Sequence, residues 1–300
     1  MRRRGRRLRG KPRFTVRATK LVTWNVQWCR GMDGKVAPGR ILHEARAFAD
    51  FDVLCLQEVA ANFAELEGSR GEDQVQELAR SLPGYSVHFA TATDVDDGSG
   101  GRRLFGNLIA SRLPVLQVFR HALPWPADPA VPSMARVALE AVLAAPWGPI
   151  RVITTHLEYY SGKIRLSQVE ALRSLHTESC AHARQPRISG DPGDPFEARP
   201  RPASAVACGD FNFSPTDPGY ARLTGAFESG LPRLVDAWRV VHSPMPHTPT
   251  FRVHDPEANE PPYCCDFVFV TEDLAPKLRS IEVNPTTEAS DHQPVMIEIA

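Results

Sequence analysis

The sequence predicts an α+β fold in which two packed β-sheets lie between outer helices. Strand-like segments fall into two clusters separated by helical segments, without the persistent strand–helix alternation of a parallel sheet. Two strand-like segments in the middle of the chain alternate apolar and polar residues, which is typical of antiparallel strands with one buried face. Hydrophobic residues make up 42% of the 300 residues, enough for one large core.

The first cluster occupies roughly the first third of the chain. Its strands are short apolar runs that end at polar residues, and its helices place apolar residues at helical spacing. Proline and glycine end the second helix, and a polar, glycine-rich loop follows the last strand. Strands are predicted at 20–26, 52–56 and 85–90, helices at 38–50 and 72–82, and the loop at 94–101.

The second cluster begins with a series of strands broken by proline and glycine. A long helix at 163–183 follows, and the remaining apolar runs are again of strand length. Further strands are predicted at 104–111, 115–122, 136–144, 150–156, 205–208, 265–270, 278–283 and 295–299.

The formal net charge of zero conceals an uneven distribution. Residues 1–20 carry ten basic and no acidic residues, so the remainder carries 25 basic and 35 acidic residues, a net of −10. We expect residues 1–19 to form a basic, disordered arm and residues 20–300 to form one domain. The arm could contact phosphates of nucleic acid or anionic lipid, or it could have no specific role. A segment at about 184–203, rich in Pro, Gly, Arg and Asp, predicts a disordered surface insertion.

Cysteine usage and hydropathy bear on the compartment. The six cysteines form no CxxC pair and no zinc-type His/Cys spacing, and most of them lie in apolar runs, which indicates a reducing compartment. No apolar run approaches the ~18 residues of a membrane span, and the N-terminus lacks the apolar region of a secretory signal. The sequence therefore predicts a soluble cytoplasmic protein, monomeric by default.

Polar residues of a particular kind follow several of the predicted strands. The segment Gly209-Asp210-Phe211-Asn212 ends an apolar run and presents a carboxylate and a carboxamide. Several carboxylates at strand ends are costly to place unless a cation neutralises them, and Mg²⁺ or Mn²⁺ binds such oxygen ligands. The residues at strand ends are Asn25, Glu58, His156, Asp210, Asn212, Asp266, Asp291 and His292.

These residues lie in motifs that resemble those of the endonuclease/exonuclease/phosphatase family, the DNase I-like superfamily. Each motif is short, but all of them occur in the family's order between about residue 21 and the end of the chain. The motifs are Thr23-Trp24-Asn25-Val26, Leu56-Gln57-Glu58-Val59, Gly106-Asn107-Leu108-Ile109-Ala110-Ser111-Arg112, Thr155-His156-Leu157, Gly209-Asp210-Phe211-Asn212 and Ser290-Asp291-His292.

The resemblance implies a four-layer αββα sandwich of two mostly antiparallel sheets and a divalent metal, Mg²⁺ or Mn²⁺. It also implies hydrolysis of phosphoesters at one edge of the sheets. Asn25, Glu58 and Asp291 are the implied metal ligands. The implied catalytic residues are His156, Asp210, Asn212, Asp266 and His292, with Asp266 holding the imidazole of His292.

Three further residues are candidates for binding the phosphate, namely Asn107, Arg136 and Arg165. Which histidine handles the water and which the phosphate stays open. Gln27 stands where some DNA-repair members have a carboxylate, and no counterpart of the catalytic tyrosine segment of abasic-site endonucleases is present. Substrate selectivity is expected to come from loops around 28–37, 93–103, 121–135 and 242–262.

The function predicted from these observations is a metal-dependent phosphoesterase, foremost a phosphodiesterase or endonuclease acting by in-line attack of water. The alternatives are a phosphomonoesterase or a phospholipid or inositol phosphatase of the same fold. A third alternative is a non-catalytic module that binds nucleic acid or membrane through the basic arm. The fold alone does not distinguish these substrates.

Overall fold

The computed structural model describes residues 17–185, 187–227, 230–255 and 259–300. Residues 1–16, the larger part of the predicted basic arm, lie outside the described residues. The arm and its disorder therefore stay a prediction. The division of the chain into this arm and a single domain of residues 20–300 also stays a prediction.

The elements of the described chain are as follows. The strands are β1 (Thr19–Asn25), β2 (Val53–Ala61), β3 (Ser86–Asp96), β4 (Arg102–Ser111), β5 (Val115–Ala122), β6 (Val137–Ala145), β7 (Gly148–His156), β8 (Ala205–Asp210), β9 (Leu234–Asp236), β10 (Asp266–Thr271), β11 (Leu278–Val283) and β12 (Val295–Ile299). The helices are α1 (Pro38–Phe48), α2 (Gln74–Arg80), α3 (Gly162–Arg184), α4 (Pro218–Thr224) and α5 (Ala237–His242).

These strands form two sheets of six strands each. The order in the first sheet is β11-β12-β1-β2-β4-β3, and in the second it is β5-β6-β7-β8-β10-β9. Each sheet contains one parallel pair, β1 with β2 and β7 with β8, and its other pairs are antiparallel. The last two strands return to the first sheet, so β12 lies between β1 and β11.

Three apolar clusters hold the layers together. The largest lies between the sheets, with Ile109 and Ile297 of the first sheet and Leu139 and Val268 of the second among its buried members. The second packs α1 and α2 onto the outer face of the first sheet. The third packs α3 and α4 onto the second sheet, for example through Leu172. The predicted α+β fold of two mostly antiparallel sheets between helices is confirmed.

Buried amides join the two sheets next to their shared edge. Gln57 on β2 donates its Nε2 to the hydroxyl of Thr154 on β7, at 2.7 Å. Asn107 on β4 donates its Nδ2 to the carbonyl of Val137 on β6, at 2.9 Å. Because a buried amide without a partner is costly, these two hydrogen bonds fix the position of one sheet relative to the other.

Several elements differ from the sequence prediction. Helix α4 was not predicted, although Asp217 caps it by accepting a hydrogen bond from the amide of Gly219. β2 continues to Ala61 because a bulge between Leu56 and Val59 lets the strand pass the polar Glu58. β3 extends to Asp96, into the segment predicted as a loop, because it pairs along the whole length of β4.

The segment 187–203, within the predicted insertion, contains no helix or strand in the structure. Its last residues are attached to the second sheet. Arg201 donates to Glu140 at 2.8 Å, and the carbonyl of Pro202 accepts a hydrogen bond from Arg151. Disorder of the insertion stays a prediction.

Two findings concern the environment of the protein. In the parts of the chain that the structure describes, no helix is both long and apolar enough to cross a membrane. All six cysteines are free and buried. Their burial fits the apolar runs in which they occur.

Candidate active site

The two parallel strand pairs bring the candidate residues to one edge of the sandwich. The carboxyl ends of parallel strands meet at the same edge of a sheet, as in β1 with β2 and β7 with β8. Asn25 ends β1, and Glu58 lies at the bulge of β2. His156 and Asp210 are the last residues of β7 and β8 and lie directly opposite each other. Both sheets therefore contribute side chains to one site.

The remaining candidates reach this edge from an antiparallel strand and a turn. Asp266 begins β10 and lies opposite Asp210 in the ladder. The turn that carries Asp291 and His292 is held to β1 by two hydrogen bonds. Ser290 Oγ donates to the Asn25 carbonyl at 2.8 Å, and Trp24 Nε1 donates to the His292 carbonyl at 2.8 Å.

Asp210 is the centre of the site. Its Oδ2 accepts a hydrogen bond from Asn25 Nδ2 at 3.0 Å. It also lies 3.4 Å from His156 Nε2 and 3.8 Å from His292 Nε2. Its Oδ1 accepts from the backbone amide of Asn212 at 2.9 Å. The carboxylate is therefore held in a fixed orientation by groups from both sheets.

Glu58 lies beside this centre. Asn25 Nδ2 donates to Glu58 Oε1 at 3.0 Å, and His156 Nδ1 lies 3.6 Å from the same oxygen. Burial, with the nearby charge of Asp291, raises the pKa of Glu58 to about 7. Burial also raises the pKa of Asp210 to about 6 and that of Asp291 above its usual range. The raised pKa values show that the surrounding side chains do not supply enough positive charge to balance these three carboxylates.

The two histidines differ in charge. Burial lowers the pKa of His292, but the carboxylates of Asp266 and Asp210 outweigh it and raise the value to about 10. Asp266 Oδ2 lies 2.8 Å from His292 Nδ1. Burial and the charge of Arg136 hold the pKa of His156 well below its usual range. At neutral pH His292 is therefore an imidazolium and His156 is neutral.

Thr250 supports the Asp266–His292 pair and was not predicted from the sequence. Its hydroxyl is fully buried and donates to Asp266 Oδ2 at 2.7 Å. It also accepts from the backbone amides of Cys265 and Asp266, both at 3.2 Å. No motif surrounds Thr250, so the sequence carries no signal for this role.

The oxygen atoms around Glu58 fit a hard divalent cation. Gln27 Nε2 donates to Asp291 Oδ2 at 2.9 Å, and Gln27 Oε1 is buried without a hydrogen-bond partner among the described residues. Carboxylates with raised pKa values beside an unpaired carbonyl oxygen are the ligand chemistry that Mg²⁺ and Mn²⁺ prefer.

A second arrangement of ligand-type atoms lies nearby. Asp210, Cys265 and His292 offer such atoms within 4.8 Å of one another. Burial raises the pKa of the Cys265 thiol well above its usual value, which keeps the thiol protonated. A protonated thiol is a poor ligand for a hard cation, so the oxygen atoms around Glu58 offer the better set of ligands.

The site opens into a cleft of about 600 Å³. Within the described chain, Arg136 is the single lysine or arginine side chain that lines it. The Nε of Arg136 is buried without a hydrogen-bond partner among the described residues, and Glu158 Oε2 lies 3.7 Å away. The guanidinium therefore lies between the carboxylate of Glu158 and the cleft. The candidates that line the cleft are Glu58, Arg136, His156, Asp210, Asn212, Asp291 and His292.

Four of the predicted site residues do not line the cleft. Asn25 and Asp266 lie directly behind it and contact residues that do. Asn107 is buried between the sheets, and its amide is bonded to Val137. Arg165 donates to the carbonyls of Glu158 and Tyr159, so its charge supports the turn after β7. The geometry therefore gives neither Asn107 nor Arg165 a direct contact with a ligand.

Strained backbone concentrates at the same place. Four non-glycine residues that line the cleft have positive φ angles, namely Gln27 (46°), Trp28 (42°), Glu58 (59°) and Asn212 (50°). Such conformations cost on the order of 1–3 kcal/mol each and persist where the surrounding structure imposes them. Here the surrounding structure is the bulge of β2 and the turns after β1 and β8.

Comparison with known proteins identifies the family. A family model described as "Endonuclease/Exonuclease/phosphatase family" matches residues 22–292. A comparison with curated protein sequences gives no significant match. Solved structures are similar in fold over nearly the whole chain.

Three of these structures illustrate the similarity. An endonuclease/exonuclease/phosphatase from Beutenbergia cavernae shares 23% identity at a TM-score of 0.64, over 94% of this chain and 71% of that one. Bacteroides thetaiotaomicron mannosyl-6-phosphatase shares 17% identity at a TM-score of 0.63, over 94% of this chain and 99% of that one. D. rerio TDP2 complexed with single strand DNA product shares 18% identity at a TM-score of 0.62, over 94% of this chain and 99% of that one.

At these identities the structures show the fold alone, whereas the family model covers nearly all of the described chain. The site at the shared edge of the two sheets lies within the matched residues. This protein therefore belongs to the endonuclease/exonuclease/phosphatase family.

Proposed function

We propose that the protein is a divalent-metal-dependent phosphoesterase that hydrolyses a phosphodiester by attack of water. The observation that carries the proposal is the position of Asp210. Its carboxylate lies within 3.8 Å of polar atoms from Asn25, His156 and His292, at the floor of a cleft that also holds Glu58 and Arg136.

Glu58, Asp291 and Gln27 would hold the metal, with Asn25 beside them. When bound, a Mg²⁺ or Mn²⁺ ion would supply positive charge to the phosphate oxygens, on which negative charge accumulates. Gln27 adds a neutral oxygen where a carboxylate would add charge. This donor set therefore favours one metal ion.

Asp210 would accept the proton of the attacking water. A general base works best when its pKa is near the working pH, and the raised pKa of Asp210 brings it closer to neutrality. The water oxygen forms a bond to phosphorus, the bond to the leaving oxygen breaks, and the leaving oxygen takes a proton from solvent. Asn212 lines the cleft beside Asp210, with its Nδ2 bonded to the Leu157 carbonyl, and would help to position the water.

The phosphate would lie among His156, His292 and Arg136. The imidazolium of His292 and the guanidinium of Arg136 provide positive charge, and neutral His156 can donate one hydrogen bond. Since Arg136 is the single lysine or arginine lining the described cleft, a diester with one negative charge fits better than a monoester dianion. The solved structures of similar fold include a mannosyl-6-phosphatase, so a phosphomonoesterase remains the second candidate.

Metal removal tests the proposal directly. We expect hydrolysis of bis-p-nitrophenyl phosphate to cease in EDTA and to return with Mg²⁺ or Mn²⁺, and to be faster than that of p-nitrophenyl phosphate. Calorimetric titration should show Mn²⁺ binding to the wild type that is weaker in Glu58→Gln. A folded protein that hydrolyses neither ester and binds no metal would be a non-catalytic binding module, and the proposal would be wrong. Faster hydrolysis of the monoester would select the second candidate.

A second prediction concerns Thr250. We expect Thr250→Val to lower kcat for the diester by roughly 10- to 100-fold, because Asp266 loses the hydroxyl that holds it against His292. The matched variant Thr250→Ser keeps the hydroxyl and should stay close to the wild type. Steady-state kinetics at saturating Mg²⁺ measures both. A kcat in Thr250→Val that stays at the wild-type value would show that the hydrogen bond to Asp266 does not matter for the reaction.

A further inference from the structure

The cleft has two apolar walls in addition to its polar floor. One wall comes from loops and strands of the first sheet, and the other comes from loops around the second sheet. The first wall consists of Trp28, Phe63, Leu66 and Phe105, and the second of Met134, Tyr159, Tyr160 and Phe251. Of these residues, only Trp28, Met134 and Phe251 lie in loops that were expected from the sequence to confer selectivity.

The first wall is held in place by hydrogen bonds and packing. Trp28 Nε1 donates to the Glu67 carbonyl at 2.9 Å, and the Trp28 carbonyl accepts from Gln74 Nε2 at 2.8 Å. Phe63 packs edge-on against Phe105, with ring centroids 6.4 Å apart. The rings therefore stand ready for a ligand and need little ordering when one binds.

The second wall begins at the catalytic residues themselves. The ring of Phe251 lies 4.4 Å from that of His292, and the guanidinium of Arg252 lies 5.0 Å from the Phe251 ring. Arg252 also donates to the hydroxyl of Tyr159 at 3.3 Å. An apolar group attached to the phosphate would therefore meet aromatic rings directly beside the reacting atoms.

The charge around the first wall is negative. The segment 62–73 carries Glu65, Glu67, Glu72 and Asp73 against Arg70. The neighbouring segment 93–103 carries three aspartates against two arginines. A protein that binds a long nucleic acid strand normally follows its phosphates with basic side chains. The arginines beside this wall, Arg30 and Arg103, are instead paired with Glu67 and Glu65. The wall suits a small ligand.

We propose that the aromatic walls bind a planar aromatic group carried by the phosphoester, and that the substrate is a compact aryl or nucleoside phosphoester rather than a long nucleic acid. The inference rests on the proposed function, because it places the phosphate at Asp210. A flat ring would pack against the aromatic side chains that line the cleft, and the cleft volume of about 600 Å³ accommodates a ligand of this size.

Calorimetric titration with paired ligands in saturating Mg²⁺ tests the inference. The two members of each pair carry the same phosphoryl group, and only one of them carries an aromatic ring. The pairs are methylphosphonate with 1-naphthylmethylphosphonate, and deoxyribose 5-phosphate with thymidine 5′-phosphate. We expect at least one aromatic member to bind about tenfold or more tightly than its partner. The first pair reports on aryl groups and the second on nucleobases.

Two variants locate the effect. Phe63→Ala should reduce the preference for the aromatic member at least severalfold. Phe196→Ala removes an exposed phenylalanine outside the cleft and should leave the preference unchanged. Equal affinities within both pairs, no binding at all, or a preference that survives in Phe63→Ala would each overturn the inference.

A single-stranded DNA of about 20 nucleotides serves as the polyanion probe. The proposal requires that it bind no more tightly than thymidine 5′-phosphate at physiological salt. Much tighter binding of the DNA would overturn the compact substrate. Failure of this inference can be distinguished from failure of the proposed function. Diester hydrolysis without any aromatic preference would leave the function standing and remove the subsite, and an aromatic preference without hydrolysis would do the reverse.

Discussion

Asp210→Asn is expected to lower kcat for phosphodiester hydrolysis by on the order of 10²-fold or more while the protein stays folded. The asparagine side chain has nearly the same shape but cannot accept a proton from the attacking water. It also removes the negative charge that lies 3.8 Å from His292 Nε2. The expected loss is therefore in kcat, and steady-state kinetics on the purified variant with saturating Mg²⁺ measures it.

The matched control for this prediction is Asp191→Asn. Asp191 is an exposed aspartate in the segment 187–203 that does not line the cleft, and its variant should keep the wild-type rate. Circular dichroism and the urea-unfolding midpoint establish that both variants are folded. An unchanged rate in Asp210→Asn would mean that Asp210 is not the base, or that the measured activity comes from another protein.

Glu140→Gln is expected to lower the free energy of unfolding by about 3–5 kcal/mol, the usual result of removing one member of a buried ion pair. Glu140 is fully buried in β6, with Arg201 Nη1 at 2.8 Å, His121 Nε2 at 3.1 Å and Arg151 Nη1 at 3.8 Å. Glutamine keeps the size but removes the buried counter-charge of Arg151 and leaves Arg201 with only the exposed Glu178, 3.6 Å away. Urea denaturation monitored by tryptophan fluorescence measures the change.

The exposed pair of Glu272 and Arg233 provides the comparison. Solvent screens this pair, so Glu272→Gln should change stability by less than about 1 kcal/mol. A similar loss in both variants would show that the buried network around Glu140 contributes nothing beyond an ordinary surface pair.

The effect of Glu140→Gln should depend on pH. Burial alone would raise the pKa of Glu140, but the hydrogen bond from His121 and the charges of Arg151 and Arg201 outweigh it and lower the pKa. A carboxyl group with a lowered folded-state pKa stabilises the fold above its unfolded value and loses that contribution as pH falls through the folded value. The difference between the wild type and Glu140→Gln should therefore be full at neutral pH and should shrink in acid.

Much of the fold follows from local sequence patterns. Buried strands such as β8 and β12 are apolar runs of the right length, and α3 has helical spacing with Ser161 as its cap. Short helices are harder, because α4 and α5 span only two turns or fewer and carry too few apolar positions to show a period. The irregular segment 187–203 is distinguished by its composition, but the buried ion pair of Arg201 depends on a glutamate 61 positions away.

The polar floor of the cleft could be predicted because its residues lie in short motifs at strand ends. The aromatic walls could not be predicted, because Phe63 and Tyr160 come from loops whose contacts depend on how the two sheets pack. The same limit explains Asn107 and Arg165. Their positions in the sequence suggest a phosphate site, yet a neighbouring carbonyl satisfies each polar group in the folded chain. Thr250 is the converse case, a residue that supports the site but has no signal in the sequence. Its partner Asp266 is adjacent to it in space and not in sequence.

The position of β12 between β1 and β11 has a consequence for biosynthesis. Asn25 and Glu58 leave the ribosome long before Asp291 and His292, by roughly 10 to 50 seconds at about 5–20 residues per second. During that interval the edge of β1 that β12 later covers is open to pairing with other strands. The candidate site is therefore incomplete in the nascent chain until Asp291 and His292 have joined it, and this edge of β1 is where the unfinished protein is most exposed to pairing with other strands.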